Sequence, residues 1–270
     1  MRFIKQLFSF YIASSIHVAL SVYSLVRMTH FMFDITFDAP IAYFAFFGTI
    51  VGYNFVKYDA LARTKKNQMR KELKLIALLS LFSFVGVAYC FFQLQWITQV
   101  ISVGFLVLTM LYTLPFFPNR KNARNWAGVK IYIVSLCWVG VTLALPLINA
   151  HVDLGFDFYL KCVQRFILIF VLILIFEIID LANDDPYLQT VPQQIGVKRT
   201  KILGLLLLIP FYFLEFFKNN FIEKQFYVNL VLVVMISLFL VFANEKRSKY
   251  YTSFWVESIP ILWWLMVVFC

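Results

Sequence analysis

Apolar runs long enough to cross a membrane recur along the whole chain, and they constrain it more than any other feature. They fall at about 7–26, 40–57, 74–92, 97–117, 128–149, 160–180, 202–217, 226–243 and 254–269. A helix needs ~20 apolar residues to cross the hydrocarbon core. Lipid offers no partner to backbone N–H and C=O groups, so a spanning segment must satisfy its own hydrogen bonds. The runs are continuous rather than alternating, which predicts helices and not barrel strands. Hydrophobic residues make up 62% of the chain and charged residues 14%; a soluble domain has nearly twice that charge. The expected fold is all-α, a polytopic membrane helix bundle of about nine transmembrane helices. It forms one transmembrane domain over residues 1–270.

The net charge of +10 does not point to nucleic acid, because the basic residues sit in alternate loops. With the N-terminus in the cytoplasm, nineteen of the 24 Lys and Arg residues fall on the cytoplasmic side. That is the positive-inside pattern. Arg27, Lys161, Arg165, Lys218 and Lys224 fall on the other side. The expected location is the cytoplasmic (inner) membrane, with the long polar loops inside. The first run is too long for a signal peptide and lacks a small-residue cleavage site, so it reads as the first span. Cys90, Cys137, Cys162 and Cys270 lie scattered in apolar sequence and read as membrane-buried thiols. His17, His30 and His151 are isolated.

The most informative polar stretch follows the apolar run 166–176. Glu177, Asp180 and Asp184 are spaced i, i+3 and i+7, which puts them on one face of a continuing helix. Three acids at the negative end of a helix require a cation, and a divalent metal bridging to a phosphate is the economical one. The plain alternative is a helix end entering a polar loop. Thr190-Val191-Pro192, Gly196 and the basic Lys198-Arg199 follow. In the first internal loop Asn54 sits near a span end, with Lys57, Asp59, Arg63, Lys65 and Lys66 after it. These basic residues could meet a phosphate, although anionic headgroups against a positive-inside loop are the simpler account. In the second, Tyr112-Thr113-Leu114-Pro115 leads to Arg120 and Lys121, which have the same two readings.

These residues resemble the UbiA superfamily of intramembrane prenyltransferases. Glu177-x-x-Asp180-x-x-x-Asp184, with Thr190-Val191-Pro192 and Gly196 downstream, is similar to the family's second aspartate-rich motif and its tail. Tyr112-x-x-Pro115 with Arg120 resembles a second family segment. The resemblance implies a nine-span bundle that moves a prenyl group from an isoprenyl diphosphate to an acceptor, often aromatic. It implies Mg2+ on Glu177, Asp180 and Asp184. Asn54, Lys57, Asp59, Arg63, Tyr112, Arg120 and Lys198 are then substrate-side residues. The family's first motif is NDxxDxxxD. Here only Asn54 matches, because Phe55, Tyr58 and Ala62 stand where its aspartates would be. That gap keeps open a fold relative that binds an isoprenoid or quinone without turnover. A transporter ranks last, because the acids lie at span ends and no repeat shows.

Overall fold

In a computed structural model, residues 2–64, 71–113, 128–182, 184, 188–219 and 223–269 are described, with backbone only at 2–3, 59–64 and 111–113. These residues form helices and connecting turns, with no strand among them. The helices are α1 (Arg2–Ala13), α2 (Ile16–Met32), α3 (Ala39–Thr64), α4 (Lys71–Phe91), α5 (Trp96–Thr113) and α6 (Val129–Val139). They continue as α7 (Leu145–Asn149), α8 (Phe156–Asp180), α9 (Val191–Ile195), α10 (Val197–Phe213), α11 (Glu223–Phe242) and α12 (Ile259–Phe269).

Among the described residues seven helical segments are long and apolar enough to cross a membrane. The protein is therefore a polytopic helical membrane protein. Two of the expected spans stand apart. The first is broken: α1 and α2 meet at a 58° bend, with Ser15 in the left-handed region at φ 63°. The 15-residue apolar stretch Trp96–Met110 of α5 extends only ~22 Å, short of a ~30 Å core.

Neighbours in sequence are mostly neighbours in space. α2 packs on α3 and α3 on α4; α6 packs on α8, α8 on α10, α10 on α11 and α11 on α12. α12 then returns to α2 and closes the order on itself. α8 is the central helix: 67% of its span is buried, against 50% or less for every other span. Its Leu168, Val171, Leu172, Ile175 and Ile178 join Leu25, Phe211, Leu232, Ile236 and Trp263 in the main core. The outer faces of α4, α5, α10 and α11 expose leucine, valine and phenylalanine, as helices facing lipid do.

Two wide helical turns each precede a proline. A π-helical segment at Gly140–Ala144 leads into Pro146, and another at Tyr251–Val256 leads to Pro260. Proline lacks an N–H and its ring crowds the carbonyl four residues back, which here is Thr142 or Val256. A wider turn relieves that crowding. The Thr142 carbonyl finds other donors, in Thr29 Oγ1 at 2.6 Å and an Arg165 guanidinium nitrogen at 2.9 Å. Pro210 lies inside α10.

Candidate functional site

The acidic stripe is built by α8 and the short segment after it. Glu177 is 2% exposed on the last turn of α8. Asp180 ends the helix and is exposed. Four residues further on, the Asp184 N–H donates back to the Asp180 carbonyl at 2.9 Å. Thr190 then starts α9, its N–H held by Gln193 Oε1 at 2.9 Å. Gly196, at φ 81°, turns the chain directly into α10; that left-handed backbone favours glycine, which has no Cβ to clash.

The tail folds back onto the stripe. The N–H of Val191 donates to Glu177 Oε2 at 3.0 Å, and a charge-assisted bond of this kind fixes a buried carboxylate. Lys130, at the start of α6, lies within electrostatic reach of Glu177 and Asp180. Asp184 is close enough to both acids to repel them. Among the described residues its Oδ2 is buried without a hydrogen-bond partner, and a buried carboxylate oxygen in that state calls for a cation, a donor or a water. Among the described residues no three His, Cys, Asp or Glu side chains form a metal-holding group. Asp180 and Asp184 have the donor chemistry for one hard divalent ion, whereas one oxygen of Glu177 is occupied by the Val191 N–H.

The residues of the first loop do something the sequence did not suggest. Asn54, Lys57 and Tyr58 lie on one face of α3 and hold the break between α1 and α2. Tyr58 Oη donates to the Ala13 carbonyl at 2.8 Å, Asn54 Nδ2 to the Ser14 carbonyl at 3.1 Å, and Lys57 Nζ to Ser15 Oγ at 3.0 Å. Asn54 Nδ2 also reaches Ser80 Oγ on α4 at 2.9 Å. A broken helix leaves carbonyls without intrahelical donors; Tyr58 and Asn54 supply two of them, and Lys57 holds the Ser15 hydroxyl. Asn54 Oδ1 stays buried without a partner.

On the other side of the break, His17 Nε2 is 2.9 Å from the Phe254 carbonyl and Nδ1 is 2.7 Å from Tyr11 Oη. A carbonyl only accepts, so the proton sits on Nε2 and Tyr11 donates to Nδ1. Ser21 Oγ donates to the Glu257 carbonyl. The broken first span and the π-turn of the last span are thus stitched together.

Arg165, in the first half of α8, meets Leu25 and Thr29 in the second half of α2. Among the described residues no hydrogen bond joins Asn54 to the acidic stripe: Asn54 bonds Ser14 at the break and Ser80 of α4, and Glu177 bonds the start of α9. Lys198 is exposed on the first turn of α10. Asp59, Arg63 and Tyr112 are placed in α3 and α5 by backbone alone, and Arg120 lies outside the described residues.

A second polar group lies in the opposite half of the bundle. Lys161 and Arg165, counted above with the loop charges, are 3% and 2% exposed inside α8. Glu215 Oε2 accepts from Lys161 Nζ at 2.7 Å, Gln164 Nε2 at 3.1 Å and Asn229 Nδ2 at 3.0 Å. Its Oε1 lies 3.3 Å from Lys218 Nζ, and Trp263 Nε1 donates to Asn229 Oδ1 at 3.0 Å. Arg165 makes no ion pair among the described residues; it bonds the Leu25 and Thr142 carbonyls and the Thr29 and Thr142 hydroxyls. The signal for this group was an i, i+4 pair of basic residues in an apolar segment. Their acid lies 54 positions away from Lys161.

Comparison with protein-family models, with curated proteins and with solved structures returns no match for this chain, so the site rests on its own geometry.

Proposed function

We propose that the chain is an intramembrane prenyltransferase of the UbiA type, moving a prenyl group from an isoprenyl diphosphate to a lipophilic, aromatic acceptor. One observation carries the reading. The acidic stripe and its Thr190-Val191-Pro192 tail fold as a unit, with the Val191 N–H on Glu177 and the buried Asp184 Oδ2 left open. Asp180 and Asp184 would hold Mg2+, which when bound neutralises charge on the leaving diphosphate. Glu177, pinned by the tail, orients the stripe. Lys130 adds positive charge beside it, and exposed Lys198 lies on the helix that follows. The apolar spans keep water from the reacting carbon. The nine-span arrangement and the cytoplasmic placement of this face belong to the same proposal.

Because Asn54 and Lys57 are spent on the helix break, the diphosphate rests mainly on the α8 side. The same commitment favours a second reading, an isoprenoid-binding protein without turnover. Both readings predict binding, and equilibrium binding in nanodiscs tests them together. Farnesyl and geranylgeranyl diphosphate should bind more tightly with Mg2+ present. Asp180→Asn and Asp184→Asn should each weaken that binding by at least about tenfold, the scale of disturbing a metal's supporting shell. Binding indifferent to Mg2+ and to both substitutions would overturn the proposal.

A further inference from the structure

The outer face of the last two spans carries a groove of about 300 Å³ lined by Met235, Leu238, Phe239, Phe242 and Tyr251, with Arg247 at one end. We propose that it binds an anionic phospholipid of the bilayer, with one acyl chain along the groove and the phosphate on Arg247. This assignment is independent of any transferase activity.

The groove has the shape of a chain. From Met235 to Phe242 it follows α11 for ~10 Å, about two-thirds of one leaflet of a ~30 Å core. Its lining is apolar apart from the end where the helix stops. There Arg247 is held by two contacts: Nε donates to the Phe242 carbonyl at 3.2 Å, and the guanidinium carbon lies 5.4 Å from the centre of the Tyr251 ring. Tyr251 is fixed in turn by its hydroxyl, which donates to the Phe239 carbonyl at 2.7 Å. Among the described residues no hydrogen bond takes the two terminal guanidinium nitrogens. That fork matches a phosphate in two-point geometry.

The charge of the loop agrees. Lys246, Arg247 and Lys249 are exposed around the mouth, with Glu245 as the one acid among them. Exposed Leu238, Val241 and Phe242 show that the groove opens on the lipid-facing side, so its occupant comes from the bilayer. A zwitterionic lipid offers the same chain but carries its ammonium into a basic mouth; an anionic headgroup does not.

The test is lipid binding by the full chain in phosphatidylcholine nanodiscs titrated with phosphatidylglycerol, read as retained lipid by native mass spectrometry. Arg247→Gln should weaken phosphatidylglycerol binding about fivefold, the share of one basic residue near an anionic surface. Leu238→Trp fills the groove without changing charge and should weaken it at least as much. Lys71→Gln, an exposed cation on α4, should leave it within about twofold. A Leu238→Trp protein that binds like the parent would overturn the proposal, since loop charge alone would then suffice. Equal binding of the two lipids by the parent would do the same. Crosslinking of the unmodified protein with phosphatidylglycerol bearing a photoreactive acyl chain needs no variant. Labels should map to 235–251, and labels confined elsewhere would refute the site.

Discussion

Replacing Glu215 with leucine strips the counter-charge from the buried polar group of α8. Glu215 is fully buried. It takes Lys161 at 2.7 Å, Gln164 at 3.1 Å and Asn229 at 3.0 Å on one oxygen, with Lys218 at 3.3 Å from the other. The substitution leaves two cations and two amide groups in an apolar interior. Removing one partner of a buried pair costs about 3–5 kcal/mol. Each unpaired amide adds about 1 kcal/mol or more, less than additively because the groups share one acceptor. A loss of at least about 4 kcal/mol follows, nearly three orders of magnitude in the ratio of folded to unfolded protein.

Equilibrium unfolding in bicelles, by steric trapping or by SDS titration, measures it. Adding Lys161→Met removes the more deeply buried of the two cations that Glu215 pairs, and Lys218 can extend towards the nearby membrane face. The double variant should therefore regain about half the loss, because an apolar pair is tolerated where a lone charge is not. A single-variant cost below about 1 kcal/mol would refute the reasoning, since the group would then be hydrated. A double variant less stable than the single would refute the pairing.

Other outcomes follow from the same structure. Arg165→Met should destabilise by about 1–3 kcal/mol through the carbonyls it leaves. In a Pro146→Ala background, which restores an N–H for the Thr142 carbonyl, the cost should fall by about 1 kcal/mol; an unchanged cost would show that the proline does not free that carbonyl. Asn54→Ala should lower stability by about 1–3 kcal/mol, with Asn54→Asp at least as harmful because a carboxylate cannot donate to the Ser14 carbonyl; a stable Asp variant would contradict the clamp. With the native cysteines replaced, single cysteines at the exposed positions 198 and 249 should label from one side of the membrane and those at 156 and 219 from the other. A mixed pattern would break the alternation of the spans.

The hydropathy pattern already contained the helical bundle, because lipid imposes helices on apolar runs whatever their partners are. The acidic stripe was legible in part, because its spacing is local: Glu177 and Asp180 share the last turn of α8, but the helix stops at Asp180 and Asp184 lies beyond it. The break at Ser14-Ser15 was not legible. Two serines inside an apolar run do not demand a bend, and the groups that stabilise this one come from α3, about 40 residues on. Asn54 and Lys57 looked like substrate residues because polar groups at a span end need partners; the partners proved to be the Ser14 carbonyl and Ser80 hydroxyl for Asn54 and the Ser15 hydroxyl for Lys57. Lys161 and Arg165 were counted with the loops because charge counting assigns basic residues near span ends to the nearest face. Only tertiary structure supplies the acid and the carbonyls that let them stay inside. Hydropathy also does not show where an apolar run bends or stops short: among the described residues seven runs form clear candidate spans, whereas the first is a bent pair and the apolar stretch of α5 is short.

The transferase reading is tested most directly by release of inorganic diphosphate. Purified protein in nanodiscs would be given Mg2+, prenyl diphosphates of several chain lengths and a panel of aromatic acceptors, beside Asp180→Ala and Asp184→Ala. The account predicts acceptor-dependent release that needs the metal and falls by at least about 100-fold in both variants, the scale of losing a charge-stabilising group at a reacting centre. Prenyl diphosphate that binds but is never cleaved under any of these conditions would contradict it and leave an isoprenoid-binding protein in its place.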